Sequence, residues 1–297
     1  MRPRLIAETT GHAGEFWPIP TGGWMTTHYN ADHIWALDQR LELTASHPLD
    51  EGIPVRDGQR LALTRDDHVA IDGRRYPVPR NRACCLRGDV LWTLSDGDLL
   101  TAWQLTSGDS IRETRLGFRG AGVEWMTALA GGRTGLQIRP SDGSPARTWL
   151  LSTDAPPREL PGRLVDVHPD GARYLSAEPG RITLRDITTG AITAARSDEQ
   201  IGGPEAVLSR GAALVSGTLA VVAIEDHSAW WWRHVLLCAD TLQPRSVLDY
   251  PRTGEPYEIV RSAEPGTWLT TTDDRVHLWG LDGPLDTDPL PGQLTLL

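Results

Sequence analysis

Three features of the sequence predict an all-β fold built from small, repeated sheets. No stretch of helical length carries apolar residues at the i, i+3, i+4 and i+7 spacing of an amphipathic helix. Short runs of β-branched and aromatic residues recur instead, each bounded by turn signals such as Asp-Gly, Pro-Gly or Ser-Gly. The 30 Gly and 22 Pro among 297 residues favour turns over long helices.

The clearest repeated unit is residues 168–195, HPDGARYLSAEPGRITLRDITTGAITAA. It predicts a turn (HPDG), a strand (RYLSAE), a turn (PG), a strand (ITLRDI), a turn (TTG) and a strand (AITAA). The preceding LVDV supplies a fourth strand. Short turns between consecutive strands predict one small sheet in which neighbours along the chain pair with each other.

The third strand of this unit recurs along the whole chain. Its copies are HIWALD (33–38), HVAID (68–72), LLTAWQL (99–105), ARTWLL (146–151), ITLRDI (182–187), WRHVLLCAD (232–240) and VHLWGLD (276–282). They follow one another at about 40 residues, and a period of about 40–45 residues with four strands per unit is typical of a β-propeller. We therefore predict a single domain over residues 1–297, a seven-bladed β-propeller, with six or eight blades as alternatives.

These units resemble WD40-type repeats. HPDG at 168–171 with ITLRD and TTG at 182–190 is similar to the family pattern over a whole blade, and DDRVHLWG at 273–280 matches its Asp turn and V-x-L-W core. Weaker copies are ADHIWALD (31–38), DDHVAID (66–72) and GDLLTAW (97–103). The Trp-Asp dipeptide is absent, and its place is taken by Leu37-Asp38, Trp103-Gln104, Arg185-Asp186 and Trp279-Gly280. A quinoprotein-like propeller is therefore an alternative lineage.

The resemblance also implies where the parts of each blade lie. The first strand of a blade lines a central channel, and the loops between second and third strands share one face, here called the top face. The last blade is expected to use a chain end, either RLIAETT (4–10) or the tail LDTDPLPGQLTLL as its outer strand.

Aromatic and charged residues near the presumed top face are the binding candidates, because Trp, Tyr and Arg dominate binding hot spots. They are Trp17, Arg82, Arg119, Glu124, Trp125, Tyr257 and Glu258. Strand alternation predicts that each of the pairs Glu124–Trp125 and Tyr257–Glu258 sends one side chain to each face. In contrast, Trp103, Trp149 and Trp279 fall on third strands and are expected to pack in the core.

The stretch HSAWWWRH, residues 227–234, predicts the end of a long hairpin. Alternation places Trp230, Trp232 and His234 on one face and Trp231 with Arg233 on the other. Because Trp230 is nearest the turn, it has the least to pack against. Trp230 and Trp231 are therefore further binding candidates, with simple packing between blades as the alternative.

The sequence favours no catalytic or metal chemistry. It has no lysine, so lysine nucleophiles and phosphate-loop lysines are excluded, and it has no G-x-S-x-G or H-E-x-x-H motif. The acidic turns at 32, 66–67, 226 and 273–274 are expected to close on their own backbone, and Cys84 and Cys85 to be buried strand thiols. We expect no cofactor and no metal.

Charge narrows the class of partner. The net charge of −10 disfavours nucleic acid and favours a partner with a basic patch. No apolar run is long enough to span a bilayer, and an odd number of cysteines without framework spacing suits the cytoplasm. The sequence thus predicts a cytoplasmic, non-catalytic scaffold that binds a protein or peptide on the top face. The alternative is a hydrolase, a lyase or a small-molecule binder that uses the central channel.

Overall fold

The computed structural model describes most of the chain. The described residues are 1–10, 15–18, 23–27, 32–48, 53–57, 60–95, 98–118, 122–129, 133–140, 145–226, 231–251, 260–262, 266–272 and 275–281.

The described elements are strands with a single short helix, α1 (Asp198–Gly202). In chain order the strands are β1 (Pro3–Thr10), β2 (Glu15–Pro18), β3 (Trp24–Thr27), β4 (His33–Leu37), β5 (Leu43–Pro48), β6 (Ile53–Asp57), β7 (Arg60–Thr64), β8 (His68–Ile71), β9 (Arg74–Pro77), β10 (Asn81–Arg87), β11 (Val90–Ser95), β12 (Leu99–Gln104), β13 (Ser110–Arg115), β14 (Gly122–Leu129), β15 (Arg133–Arg139), β16 (Arg147–Leu151), β17 (Arg158–Leu160), β18 (Arg163–Val167), β19 (Arg173–Glu178), β20 (Arg181–Asp186), β21 (Ile192–Ser197), β22 (Ala206–Leu214), β23 (Leu219–Asp226), β24 (Trp231–Cys238), β25 (Pro244–Val247), β26 (Val260–Ser262), β27 (Thr267–Thr271) and β28 (Arg275–Leu281). Among the described residues, no helix has the length and apolar character needed to cross a membrane.

These strands form seven four-stranded sheets. In chain order the first six are β2–β5, β6–β9, β10–β13, β14–β17, β18–β21 and β22–β25, and the seventh has the order β1-β28-β27-β26. The seven predicted third strands are β4, β8, β12, β16, β20, β24 and β28, one in each sheet. The predicted fold class, an all-β seven-bladed propeller, is confirmed, and the alternatives of six and eight blades are wrong.

The chain divides into two compact units. One comprises Gly14–Asp38 and Leu43–Arg163 and carries the first four sheets. The other comprises Met1–Ala13, Gln39–Glu42 and Leu164–Leu297 and carries the last three.

The fifth sheet shows how the predicted turn residues act. The Asp170 carboxylate accepts the backbone N–H of Ala172 at 2.7 Å, which closes the HPDG turn. Asp186 accepts the backbone N–H groups of Thr188 and Thr189 at 2.9 and 2.6 Å in the TTG turn. That turn ends at Gly190, whose φ of +73° is one that other residues rarely adopt. The predicted strand RYLSAE coincides with β19.

The first strand of the chain belongs to the last sheet. β1 pairs antiparallel with β28, from Pro3 opposite Leu281 to Thr10 opposite Arg275. A bulge at Ile6 interrupts this register, and a Cβ on Gly280 would lie 2.8 Å from Ile6 Cδ1. Gly280 therefore leaves the space that the bulged side chain occupies. Residues 4–10 hold the outer position of this sheet, and the tail after 281 lies outside the described residues.

Tryptophans on the third strands bond to threonines on the second strands. The indole N–H of Trp103 donates to Thr93 Oγ1 at 3.0 Å, and that of Trp279 donates to Thr270 Oγ1 at 2.8 Å. Trp149 is buried. The prediction that these three tryptophans pack is confirmed. In Trp103 and Trp279 the indole bond also satisfies the one polar atom of the ring.

A polar network lies inside the apolar cluster between the sixth and seventh sheets. The hydroxyl of Tyr250 accepts the indole N–H of Trp268 at 3.1 Å and lies 2.6 Å from His234 Nδ1. Trp268 and His234 are fully buried, and the Tyr250 ring also packs edge-on against Trp279 at 4.7 Å between centroids. Burial raises the pKa of Tyr250 far above its usual value, and the Trp268 bond opposes that shift only in part.

The two adjacent cysteines point to opposite faces of β10, as predicted. Cys84 packs in a cluster with Leu86 and Leu91, and Cys85 in a different cluster with Trp92. Burial raises the pKa of the Cys84 thiol well above its usual value, with a further contribution from Cys85. Cys84 is therefore a protonated core thiol at neutral pH.

Candidate functional site

The first strand of the fourth sheet, β14, carries a β-bulge at Glu124. Val123 pairs with Ile138 of β15 and Trp125 pairs with Gln137, so Glu124 is an extra residue between consecutive pairs. A bulge bends its strand and re-aims the side chains next to it, and bulges are over-represented beside functional sites.

The bulge places Glu124 and Trp125 on the same face of the sheet. Glu124 bonds to Gln137 and Arg139, and the Trp125 ring lies against Gly135. These three β15 residues alternate along one face of their strand. The expectation that Glu124 and Trp125 point to opposite faces is therefore wrong, because alternation holds only where the pairing is regular.

Glu124 is held by three donor side chains. Its Oε2 accepts from Gln137 Nε2 at 2.5 Å, its Oε1 accepts from Arg139 Nε at 2.7 Å and Nη2 at 2.5 Å, and Arg163 Nη2 lies 3.5 Å from Oε2. Partial burial alone would favour the neutral acid. Gln137 and the guanidinium groups of Arg163 and Arg139 outweigh it and lower the pKa of Glu124, which is therefore a carboxylate at neutral pH.

A buried hydrogen bond fixes the orientation of Gln137, which donates to this carboxylate. The Thr148 hydroxyl on β16 donates to Gln137 Oε1 at 2.9 Å, and both residues have 0% exposure. Since an amide oxygen only accepts and an amide nitrogen only donates, this bond directs Gln137 Nε2 towards Glu124. The buried residues Thr148 and Gln137 thus determine the position of the Glu124 carboxylate.

The adjacent Trp125 is partly exposed and rests on a glycine. A Cβ on Gly135 would lie 2.7 Å from Trp125 Cζ3 and 2.7 Å from Leu129 Cδ1, closer than carbon atoms can approach. Gly135 therefore leaves the space next to β15 that the indole occupies. Together, Glu124, Arg139 and Trp125 form what we call the bulge site.

Arg82 occupies the same kind of position on the neighbouring first strand. In β10, Asn81 pairs with Ser95 and Ala83 with Leu94, so Arg82 is a bulged residue, and its side chain is exposed. β10 contacts β14. Two of the predicted binding residues, Arg82 and Glu124, thus stand at bulges near the starts of adjacent strands.

The structure describes less of the other predicted residues. Trp17 lies on β2 and Trp231 on β24, without a described side chain, and four more, Arg119, Trp230, Tyr257 and Glu258, lie outside the described residues. They stay predictions.

The described part of the 227–234 stretch follows the predicted alternation. Arg233 donates to the carbonyl of Gly202, whereas the neighbouring His234 contacts Tyr250, so the two side chains lie on opposite faces of β24. Trp232 is partly buried.

Other acidic side chains are already engaged by neighbouring polar groups. Asp166 on β18 accepts the backbone N–H groups of Val167 and Leu214, both at 2.8 Å. In the acidic turns, Asp32 lies 2.7 Å from the ring of His33 and Asp67 lies 2.6 Å from that of His68. Over the described ranges, no group of three or more His, Cys, Asp and Glu is placed to hold a metal ion.

Sequence reasoning missed Arg139, Arg163 and Gln137 as members of this site. No local motif marks them, since they lie 13 to 39 residues beyond Glu124. Gln137 and Arg139 are brought to it by the register of β15 against β14, whereas Arg163 lies at the start of β18, which does not pair with β14. The sequence offered only an indirect indication of these arginines. One Arg ends the strand-like run TGLQIR, and another begins the strand-like run RLVDV.

The seven four-stranded sheets define the class as a seven-bladed β-propeller. The predicted resemblance to WD40-type propellers is confirmed at the level of the fold, because WD40 repeat proteins are among the similar solved structures. No protein-family model and no curated protein sequence matches the chain.

Three solved structures illustrate this likeness, and each covers 94% of this chain. The structure of U3-55K has a TM-score of 0.58 at 12% identity, with 98% of that chain covered. A streptogramin B lyase has a TM-score of 0.60 at 13% identity (97% covered), and the WD40 repeats of RRP9 have a TM-score of 0.60 at 12% identity (100% covered). At such low identity the likeness shows the fold alone, because one fold hosts many functions.

Proposed function

We propose that this protein is a non-catalytic recognition scaffold that binds a protein or peptide on the top face of the propeller. The observation that carries the proposal is the bulge site, where a partly exposed Trp, an exposed Arg and an ionised Glu share one face of the fourth sheet. Trp and Arg are the side chains that most often dominate binding energy at interfaces.

The state of the carboxylates supports recognition over catalysis. A general acid or base needs a pKa near the working pH and access to the reacting proton. Glu124 has a lowered pKa and several donors, and Asp166 holds two backbone N–H groups. Both are organised as fixed acceptors, as expected of structural and binding groups.

The scaffold is proposed to work in the cytoplasm. Its net charge of −10 would attract a partner with a basic patch over distances beyond direct contact. Trp17, Arg82, Arg119, Tyr257, Glu258 and the Trp230–Trp231 hairpin are proposed as further contacts around the bulge site.

Affinity purification with matched variants tests this proposal. Wild type, Trp125→Ala and Gly135→Ala are compared with Gly122→Ala, which adds a methyl to the same strand where nothing lies within 4 Å. Proteins and small molecules that co-purify are identified by mass spectrometry. Gly135→Ala displaces the Trp125 ring without removing it. This variant therefore tests whether binding requires the position of the ring as well as the ring itself. Trp230→Ala/Trp231→Ala tests the hairpin in parallel.

We expect a stoichiometric protein that wild type and Gly122→Ala retain and that Trp125→Ala and Gly135→Ala lose. Recovery of a small molecule instead would favour the alternative of a channel-bound ligand or an enzyme. Recovery of neither, or equal retention by all variants, would contradict the proposed site.

A further inference from the structure

We infer that Arg139 is the receptor for a carboxylate group of the bound peptide. This inference rests on the proposed function and adds the chemistry of the partner at the bulge site. The evidence for it is the hydrogen-bonding pattern of the Arg139 guanidinium group and the set of residues that hold this group in place.

Among the contacts that the structure describes, Arg139 uses one edge of its guanidinium group. Nε and one N–H of Nη2 are engaged by Glu124 Oε1. A guanidinium has five N–H donors in a planar fork, so the edge formed by Nη1 and the second N–H of Nη2 is left over. Among the described residues, no acceptor meets Nη1, and the Arg139 side chain is 55% exposed. This edge has the geometry that pairs with the two oxygens of a carboxylate.

The guanidinium is ordered before any ligand arrives. Two buried residues, Thr148 and Gln137, fix Glu124, and Glu124 fixes Arg139 through two bonds. A long, exposed arginine normally loses side-chain entropy on binding, and a site that holds it in advance removes much of that loss. An arginine held this way is suited to recognition rather than to a surface ion pair alone.

The shape of this edge selects the class of anion. Its N–H groups are parallel and lie in one plane, so they can donate to both oxygens of a planar carboxylate. We therefore assign the site to an Asp or Glu side chain or a C-terminal carboxylate.

This local preference is compatible with a partner that is basic elsewhere. The field of the whole protein decays over a Debye length of about 8 Å and steers the approach of a partner, while the Arg139 edge acts in direct contact. The partner is thus expected to combine a basic stretch with one carboxylate that reaches the bulge site next to Trp125.

Selection of random peptides with free C-termini on immobilised full-length protein provides the test. Each selected peptide is then compared by fluorescence polarisation with its carboxamide counterparts, in which Asp becomes Asn, Glu becomes Gln or the C-terminus is amidated. One such replacement should weaken binding to wild type at least about tenfold, as expected for a charge-assisted pair. Arg139→Gln should bind the acid and amide forms equally.

A matched control is Arg181→Gln, since Arg181 is also an exposed arginine held by a glutamate, Glu178, but on the fifth sheet. It should behave as wild type. Arg139→Lys keeps the charge beside Glu124 and loses the fork, so it should also lose most of the discrimination. Thermal melting of each variant identifies any loss of folding, and Arg139→Lys serves if Arg139→Gln is unstable.

The outcomes separate the inference from the function on which it rests. If wild type selects no peptide, the proposed function fails and the inference with it. If peptides are selected and depend on Trp125, but lack a common carboxylate or bind Arg139→Gln with unchanged discrimination, the inference alone is overturned.

Discussion

Replacing Tyr250 with phenylalanine removes one oxygen atom from the centre of the buried network in the sixth and seventh sheets. That oxygen accepts the indole N–H of Trp268 and bonds to His234, and both of these partners have 0% exposure. A buried donor deprived of its acceptor costs about 1–3 kcal/mol, and loss of a second bond about 1 kcal/mol. We therefore expect Tyr250→Phe to lower the free energy of unfolding by roughly 2–4 kcal/mol.

Chemical denaturation and thermal melting measure this loss, which corresponds to a fall in Tm of roughly 5–10 °C for a chain of this size. The matched control is Tyr76→Phe, because the Tyr76 hydroxyl makes a single long bond of 3.4 Å to the Leu105 carbonyl. It should lose less than about 1 kcal/mol. Equal losses in the two variants would refute the argument that the doubly bonded hydroxyl organises the network.

Three further predictions concern pH, a buried ion pair and the first strand. The folded-state pKa of Tyr250 is raised, so its contribution to stability is complete below about pH 10. As the pH rises further, this contribution is lost by up to ~1.4 kcal/mol per pH unit. In Tyr250→Phe, the free energy of unfolding should therefore fall less steeply with pH above about pH 10, as measured by denaturation at a series of pH values. Glu178→Gln leaves the buried guanidinium of Arg185, 2.6 Å away, without its counter-charge, and should lower the free energy of unfolding by about 2–4 kcal/mol in the same assay. Gly280→Ala forces its new methyl against Ile6 and should destabilise the pairing of β1, seen as faster amide exchange in residues 3–10.

Controls for these predictions come from the same chain. Glu159→Gln breaks an exposed pair with Arg147 and should cost no more than about 1 kcal/mol. Gly122→Ala adds a methyl in open space and should leave amide exchange in β1 unchanged. An unchanged alkaline limb in Tyr250→Phe, or faster exchange in both glycine variants, would contradict the assigned causes.

The third strands could be predicted because they follow an Asp or Gly turn and alternate strongly apolar residues, as at VHLWGLD and ITLRDI. The turns of the fifth sheet were predictable for the same reason, since Asp and Gly act there through their own local backbone. These features depend only on residues a few positions apart in the chain.

The bulge site was predictable only in part. Glu124 and Trp125 stood out as an acidic and an aromatic residue on a first strand, but their common face depends on a bulge that no residue type announces. Arg139 comes from the next strand, and its contact with Glu124 depends on a register that a one-residue slip would undo. Arg163 comes from β18, which does not pair with β14.

The place of β1 in the seventh sheet has a consequence for biosynthesis. Pro3 pairs with Leu281, so at about 5–20 residues per second this strand waits roughly 15–55 s on the ribosome for its partner. During that time it is an unpaired segment, and Pro3, Arg4 and Glu8 are the kinds of residue that discourage pairing with other chains. The seventh sheet is thus completed only after β28 has been synthesised, when β1 pairs with it.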